Sequence, residues 1–255
     1  MHWTDSHCHL DAPEFDADRP DVVARARAAG VVRQLLPAID LDSCRAIAEL
    51  AAGDPSLLPA FGLHPMYLDR HDDAALASLA AWCRQHRPVA IGECGLDFFV
   101  DGLDADRQRV VFRAQVELAV ELDLPLVLHA RRAVDEVIAT LRRYRPKGGV
   151  VHSFSGSEQQ ASQLHTLGFA LGIGGPITYD RAQRLRRVVR NMPITQLLLE
   201  TDAPDQPCAC KRGQRHEPAD LTAVVSVVTA LREISAEVLS AETEANFDRI
   251  FPATH

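Results

Sequence analysis

The sequence is poor in what several common protein classes require. Tryptophan occurs only as Trp3 and Trp82, and aromatic residues make up 5% of the 255 residues. That is too few for a track along which single-stranded bases would stack. The six cysteines (8, 44, 83, 94, 208 and 210) are too sparse for a disulfide scaffold, and no CxxC pair suggests a zinc ribbon. Cys208 and Cys210 form a CxC that reads as two loop thiols rather than a metal or redox pair. No apolar run approaches the roughly 18 residues of a membrane-crossing helix. The opening MHWTDSHCHLD has neither a basic start nor an apolar stretch, so it does not read as a signal peptide. A soluble, cytoplasmic protein without membrane contact is expected, and no obligatory protein partner is inferred. Basic residues are outnumbered, 27 against 35, for a formal net charge of −8. This argues against a protein that coats nucleic acid, because such binding needs clustered cations to displace counterions. It leaves room for a nuclease in which metal ions and a local basic loop meet the phosphates.

What is present is an alternation. With 47% hydrophobic residues the chain has ample core, and no linker or low-complexity tract divides it. Short β-branched or Leu-rich runs recur at His2–His7, Arg33–Ile39, Leu57–Leu63, Val89–Cys94, Leu124–His129, Gly149–His152, Phe169–Ile173 and Gln196–Glu200. Helical spacing fills the gaps at Arg19–Ala29, Ser43–Ala52, Asp72–Gln85, Ala105–Leu122, Ala133–Tyr144, Glu158–Leu167, Arg181–Asn191 and Ala219–Arg232. In the longest helix Phe112, Val116 and Val120 repeat every four residues, and Pro125 enforces the exit into the next strand. The units match an α/β fold of the (β/α)8 TIM barrel type. The expectation is a single domain over residues 1–255, with an extra C-terminal helix at Ala236–Phe251. A doubly wound sheet is the competitor, but the first run is followed by HCHLD rather than a glycine-rich phosphate loop.

Ligand-type residues fall at the ends of these runs. His7 and His9 close the first, His64 the third, Glu93 the fourth, His129 the fifth, His152 the sixth and Asp202 the eighth. In a barrel those ends share the face that carries the active site. An HxH pair on a strand points both imidazoles the same way, with Asp5 and Asp11 available to accept their other N–H groups. Cys8 would face the helix layer and pack. Glu93 in the buried run AIGECGLD needs a cation, either an arginine or a metal. His129 and His152 end apolar strands beside it, and Glu200 shares a face with Asp202. His64 in GLHP reads as a ligand, a substrate contact or a structural histidine. Four histidines and two carboxylates exceed one tetrahedral site but suit two metals sharing a carboxylate. Imidazole-rich donors favour zinc, manganese or iron, and magnesium prefers oxygen.

Together, DSHCHLD, GLHP, IGECGLDFF, LHAR, VHSFSGS, ETDAP, RGQRHEP and ANFDRIF resemble the TatD-related metal-dependent hydrolases and deoxyribonucleases, within the amidohydrolase-type barrels. The motifs occur in the family's order from residue 5 to residue 251. The resemblance implies two divalent ions (Zn2+, Mn2+ or Mg2+), one held by His7, His9, Glu93 and Asp202, the other by Glu93, His129 and His152. It implies hydrolysis of DNA phosphodiesters, often from the 3′ end, with DNA as substrate. Asp202 is the candidate general base, and Glu93 the bridging group that sets the metal spacing. His216 stands where the family usually has Asn, and CACKRG is inserted just before, so substrate preference is where this chain departs. Lys211, Arg212, Arg215 and Arg131 would either place positive charge over the mouth or belong to solvated loops; on the first reading His64, Arg131 and Arg215 are the substrate contacts. The arginine-rich stretch 181–190 reads as an outer amphipathic helix. Phe98, Phe99 and Phe154 would either stack a base or pack in the core. The same chemistry would also serve an ester, amide, lactone, phosphotriester or misacylated tRNA. A barrel that binds metal or nucleic acid without catalysis would be favoured by a missing ligand, and none is missing.

Overall fold

The chain builds eight parallel strands, each followed by a helix, in a computed structural model that describes residues 1–252. The strands are β1 (Trp3–Asp5), β2 (Val31–Pro37), β3 (Leu57–Phe61), β4 (Ala90–Asp97), β5 (Leu126–Arg131), β6 (Gly149–Val151), β7 (Phe169–Ile173) and β8 (Leu197–Leu199). They pair in sequence order, one to eight. Around them run α1 (Arg19–Ala28), α2 (Leu41–Gly53), α3 (Asp73–His86), α4 (Ala105–Leu122), α5 (Val134–Tyr144), α6 (Glu158–Thr166), α7 (Gln183–Asn191) and α8 (Leu221–Arg232). The extra helix α9 (Ala236–Ile250) follows as expected. Across the seam between β8 and β1, Ser6 N–H donates to Leu199 O at 2.9 Å and Asp202 N–H to His7 O at 2.8 Å. These two bonds bring the first and last strands together as a (β/α)8 barrel. Side-chain caps set the helix starts: Asp40 accepts from Ser43 N, Asp72 from Ala75 N, and Ser157 with Gln160 forms a reciprocal box.

Inside the barrel the side chains form layers. Leu35, Ala60, Ala90, Val127, Val150, Ala170 and Leu198 fill the lower half, sealed from below by Phe247, Ile250 and Phe251. Strand residues two positions apart share a face. Above Val127 therefore comes His129, above Val150 His152, and above Leu198 Glu200. Gly172 stands above Ala170 because a Cβ there would lie 1.8 Å from Glu200 Oε2. Strand β4 breaks the rule. From Ala90, simple alternation would turn Glu93 outward, but the register shifts between Ile91 and Cys94. That irregularity passes through Gly92, at φ +151°, where a Cβ would meet Val127 O at 2.4 Å. It changes the phase of the strand and aims Glu93 inward.

Two expectations need correction. His7 and His9 lie beyond β1, which ends at Asp5, so strand alternation is not what brings them together. In α4 the four-residue stripe fails at Val120, which is 45% exposed, whereas Gln108 and Gln115 are buried. The Gln108 amide donates to Asp97 O and accepts from Asp97 N. Gln115 does the same for Leu63. Each pairs a donor and an acceptor that would otherwise be buried without partners, and together they fix the backbone beside Asp97 and His64.

Candidate metal centre

Glu93 sits at the middle of the barrel mouth. Its Oε2 lies 3.1 Å from His7 Nε2 and 3.6 Å from His9 Nε2. Its Oε1 lies 3.0 Å from His152 Nε2, 3.1 Å from His129 Nδ1 and 3.3 Å from His64 Nε2. Asp202 Oδ1 stands 3.5 Å from both His7 Nε2 and His9 Nε2. All six residues expected as ligands, and His64, thus converge from β4 and β5 and from the segments that follow β1, β3, β6 and β8. Among the described residues, three groups have donor atoms close enough to hold an ion: His7–Glu93–His152, His7–His9–Asp202 and His64–Glu93–His129.

Neighbouring bonds define the proton positions. His129 Nε2 donates to Asp97 Oδ2 at 2.8 Å, which leaves its Nδ1 facing Glu93 Oε1 at 3.1 Å. Ring nitrogens and carboxylate oxygens crowd at contact distance, His129 Nδ1 3.1 Å from Glu93 Oε1 and His7 Nε2 3.2 Å from His9 Nε2, so a cation belongs between them, either a proton or a metal ion. This nitrogen and carboxylate donor set fits divalent ions of the zinc, manganese and iron kind. His64 behaves differently. Its Nδ1 accepts from Met66 N–H at 3.2 Å, which leaves the ring proton on Nε2, facing Glu93 and the cavity. Burial pushes His64 down to about 4, so the ring is neutral.

The charges reinforce each other. Burial opposes ionisation of Glu93, yet His152, His64 and His7 hold it well below the usual carboxylate range. Burial likewise opposes charge on His9, but the bond to Asp202 and the charges of Asp202 and Glu93 raise it to about 9. Asp97 is held at about 2 against its burial, by His129 and by the amides of Phe99 and Val100. Asp202 is steadied through Oδ2, which accepts from Gln206 Nε2, and Gln206 Oε1 accepts from Ser153 Oγ at 2.7 Å. Glu200 Oε1 accepts from Ser153 N–H at 2.6 Å and lies 3.5 Å from His152 Nδ1.

The cluster floors a cavity of about 1030 Å³ whose wall includes His64, Arg131 and Phe154. Arg215 does not reach it. Its guanidinium is taken by Asp18, by Glu217 and by Glu14 O, so two carboxylates neutralise it on the flank of α1. Lys211 pairs with Asp220 at 3.3 Å, and neither it nor Arg212 lines the cavity. Of the basic residues expected over the mouth, Arg131 alone is in the wall. Asp5 and Asp11 accept from no ring nitrogen: Asp5 takes the backbone N–H groups of His7 and Thr201, and Asp11 takes the Ser43 hydroxyl. Cys8 is buried, as expected. Helix α7 buries Val188 and Val189 and has Leu185 in the cavity wall, so the arginine-rich stretch is an outer helix.

The inserted loop is clipped from inside. His216 Nδ1 donates to Thr201 O at 3.1 Å, leaving Nε2 to accept from the Cys208 thiol at 3.4 Å. Burial pushes Cys208 up to about 12, so it stays protonated. Cys210 is exposed, and both thiols are free. Sequence reasoning missed Asp97, Gln206, Gln108 and Gln115. Asp97 was findable, since Glu93, Gly95 and Asp97 alternate along one strand; Gln206 sits in a loop without any periodic pattern.

A (β/α)8 barrel with imidazoles and carboxylates gathered at its C-terminal mouth defines a metal-dependent hydrolase. The chain matches the family described as TatD related DNase over residues 4–252, and it belongs to that family. It is 41% identical to the uncharacterized metal-dependent hydrolase YjjV of Escherichia coli K12, over 93% of this chain and 93% of that protein. The crystal structure of YjjV superposes with a TM-score of 0.94 at 38% identity, covering 99% of this chain and 98% of that one. A protein of Klebsiella pneumoniae strain 342 named 3′-5′ ssDNA/RNA exonuclease TatD is 34% identical over 95% of each chain. Among the described residues no helix is long and apolar enough to cross a membrane.

Proposed function

We propose that the protein is an exonuclease that hydrolyses phosphodiester bonds of single-stranded DNA from the 3′ end. The observation that carries this reading is the convergence of His7, His9, His129, His152 and Asp202 around the buried carboxylate of Glu93 at the floor of a large cavity. The name of the Klebsiella relative supports the substrate class. His7, His9, Glu93 and Asp202 would hold one divalent ion, and Glu93, His129 and His152 a second. Bound there, such ions supply Lewis-acid stabilisation of phosphoryl oxygens and acidify the attacking water.

The chain's own residues divide the remaining work. Asp202, steadied by Gln206, accepts the water's proton as general base. Glu93 spans the two sets of ligands. Asp97 holds the proton of His129 on Nε2 and keeps Nδ1 free for ligation. His64 offers its Nε2–H to an oxygen of the scissile group, where a neutral donor positions the substrate without repelling a cation. Arg131 meets a neighbouring phosphate. In the reaction water adds to phosphorus, the P–O3′ bond breaks, and the departing 3′ oxygen takes up a proton.

A second reading has its own support. The cavity wall carries Asp11, Glu14, Asp42 and Asp205 besides the candidate ligands, which favours a less anionic ester, amide or lactone. One experiment separates the two. Protein reconstituted separately with Mg2+, Mn2+ and Zn2+ is incubated with end-labelled single-stranded DNA beside identically purified Asp202→Asn. Cleavage stepping from the 3′ end, absent in the variant, is the expected result. Equal cleavage by both proteins would expose a contaminating nuclease. An intact strand with metal still bound would move the assignment to esters, amides and lactones.

A further inference from the structure

The rim of the cavity is lopsided in charge. Asp11, Glu14, Asp42 and Asp205 stand on the side built by the segments after β1, β2 and β8. On the side built after β4 and β5 stand Phe99, Arg131 and Arg132. The Arg131 guanidinium carbon lies 3.6 Å from the Phe99 ring centroid, and that of Arg132 lies 4.6 Å from it. Cation–π contact holds both guanidiniums against the ring. Phe99 is 43% exposed.

Several guanidiniums on this surface are neutralised: Arg25, Arg33, Arg109 and Arg215 each meet two carboxylates. Among the described residues neither Arg131 nor Arg132 meets one. Arg131 is also the only lysine or arginine among the described residues of the cavity wall. The cluster is therefore continuous with the reactive centre through Arg131 and, among the described residues, meets no carboxylate partner. It is also fixed in place. Phe99 N–H donates to Asp97 Oδ1 at 2.8 Å, and the other oxygen of Asp97 takes the proton of His129. One carboxylate thus anchors both a candidate ligand and the ring beside it.

We propose that Phe99, Arg131 and Arg132 form the docking surface for the uncut part of a single strand. Phosphates lie on the two guanidiniums, and a base stacks against the aromatic and guanidinium planes. This rests on the nuclease reading and gives the strand a direction. The terminal nucleotide occupies the cavity, and the chain leaves over the segments after β4 and β5, because the acidic rim opposite repels phosphate.

The test measures binding of a short fluorescein-labelled oligothymidylate to the full-length, manganese-loaded protein by anisotropy across a salt series. The Asp202→Asn background keeps the strand whole. Phe99→Ala should weaken binding about tenfold, the loss of roughly one stacked base. Arg132→Ala should weaken it similarly and lower the salt slope by about 0.7, one phosphate contact on a single strand. Arg113→Ala, an exposed arginine of α4, should change neither. Parent-like binding by the first two variants, an equal loss in Arg113→Ala, or no binding by the parent overturns the docking surface. The outcome is separable from that of the nuclease itself. Cleavage by the wild type without dependence on Phe99 retires the docking surface alone; Phe99-dependent binding without cleavage retires the nuclease reading and keeps the surface.

Discussion

The lower and upper halves of this barrel are made by the same strands from opposite kinds of residue. Below, Val127, Val150, Ala170 and Leu198 close an apolar floor under which Phe247, Ile250 and Phe251 of the C-terminal segment are packed. One inward position higher, the same strands carry His129, His152, Gly172 and Glu200. The floor gains its stability from apolar area removed from water. The mouth buries ionisable groups that burial alone would destabilise, and it tolerates them because each is held by a neighbour of complementary charge or proton. The lesson is a division of labour along each strand: the floor supplies the stability against which the mouth can hold buried ionisable groups at short range.

The sharpest test of that division is a pair of substitutions. Glu93→Ala should abolish metal retention and lower activity on the order of a thousandfold or more, by removing the group common to both ligand sets. Phe247→Ala should cost roughly 3–5 kcal/mol of stability while the folded protein keeps its metal. Metal content by elemental analysis beside denaturant midpoints would read both. Loss of metal from Phe247→Ala to the same extent as from Glu93→Ala would mean the layers are not independent. A smaller effect lies one bond away from the centre. Asp97→Asn leaves one acceptor oxygen, which the Phe99 and Val100 N–H groups already take, so the amide NH2 turns to His129 in place of an acceptor, and metal affinity or activity should weaken about 10–100-fold. Competition with a metal chelator would measure it, and an unchanged affinity would show that Asp97 does not orient the ring.

The smallest effect belongs to the flank, where Arg215 turned out to sit. The Arg215 and Arg25 guanidiniums beside Asp18 hold its carboxyl at about 2 rather than 3.8. The folded-state value is the lower one, so this contribution to stability is present above about pH 4 and is lost as pH falls toward 2. Asp18→Asn should therefore lower the melting temperature slightly at neutral pH, and the difference from wild type should vanish near pH 2. A difference that persists there would assign the effect to packing instead of charge.

Much of the fold was legible because its causes are local. Helix α4 was placed at its observed bounds from apolar periodicity and the turn before it, and the ends of the strands identified the mouth. Where tertiary contacts decide, the reading failed. Val120 fits the stripe by spacing but faces solvent, since two glutamines hold the backbone at Leu63 and Asp97 from the buried face. Arg215 lies in a basic loop by sequence, but Asp18 and Glu217, distant and near in the chain, draw it away from the cavity. Phe99 could not be told from a core phenylalanine until the loop after β4 was seen to expose it.

The sequence by itself determined the alternation of strands and helices and the set of ligand-type residues, because period-two and helical patterns and residue chemistry are properties of short segments. The tertiary structure decided which nitrogen of each histidine faces the centre, how Glu93 turns inward, and which arginine lines the cavity. Those depend on partners that meet only when the barrel closes: Asp97 for His129, Met66 N–H for His64, the register shift for Glu93, and two carboxylates for Arg215.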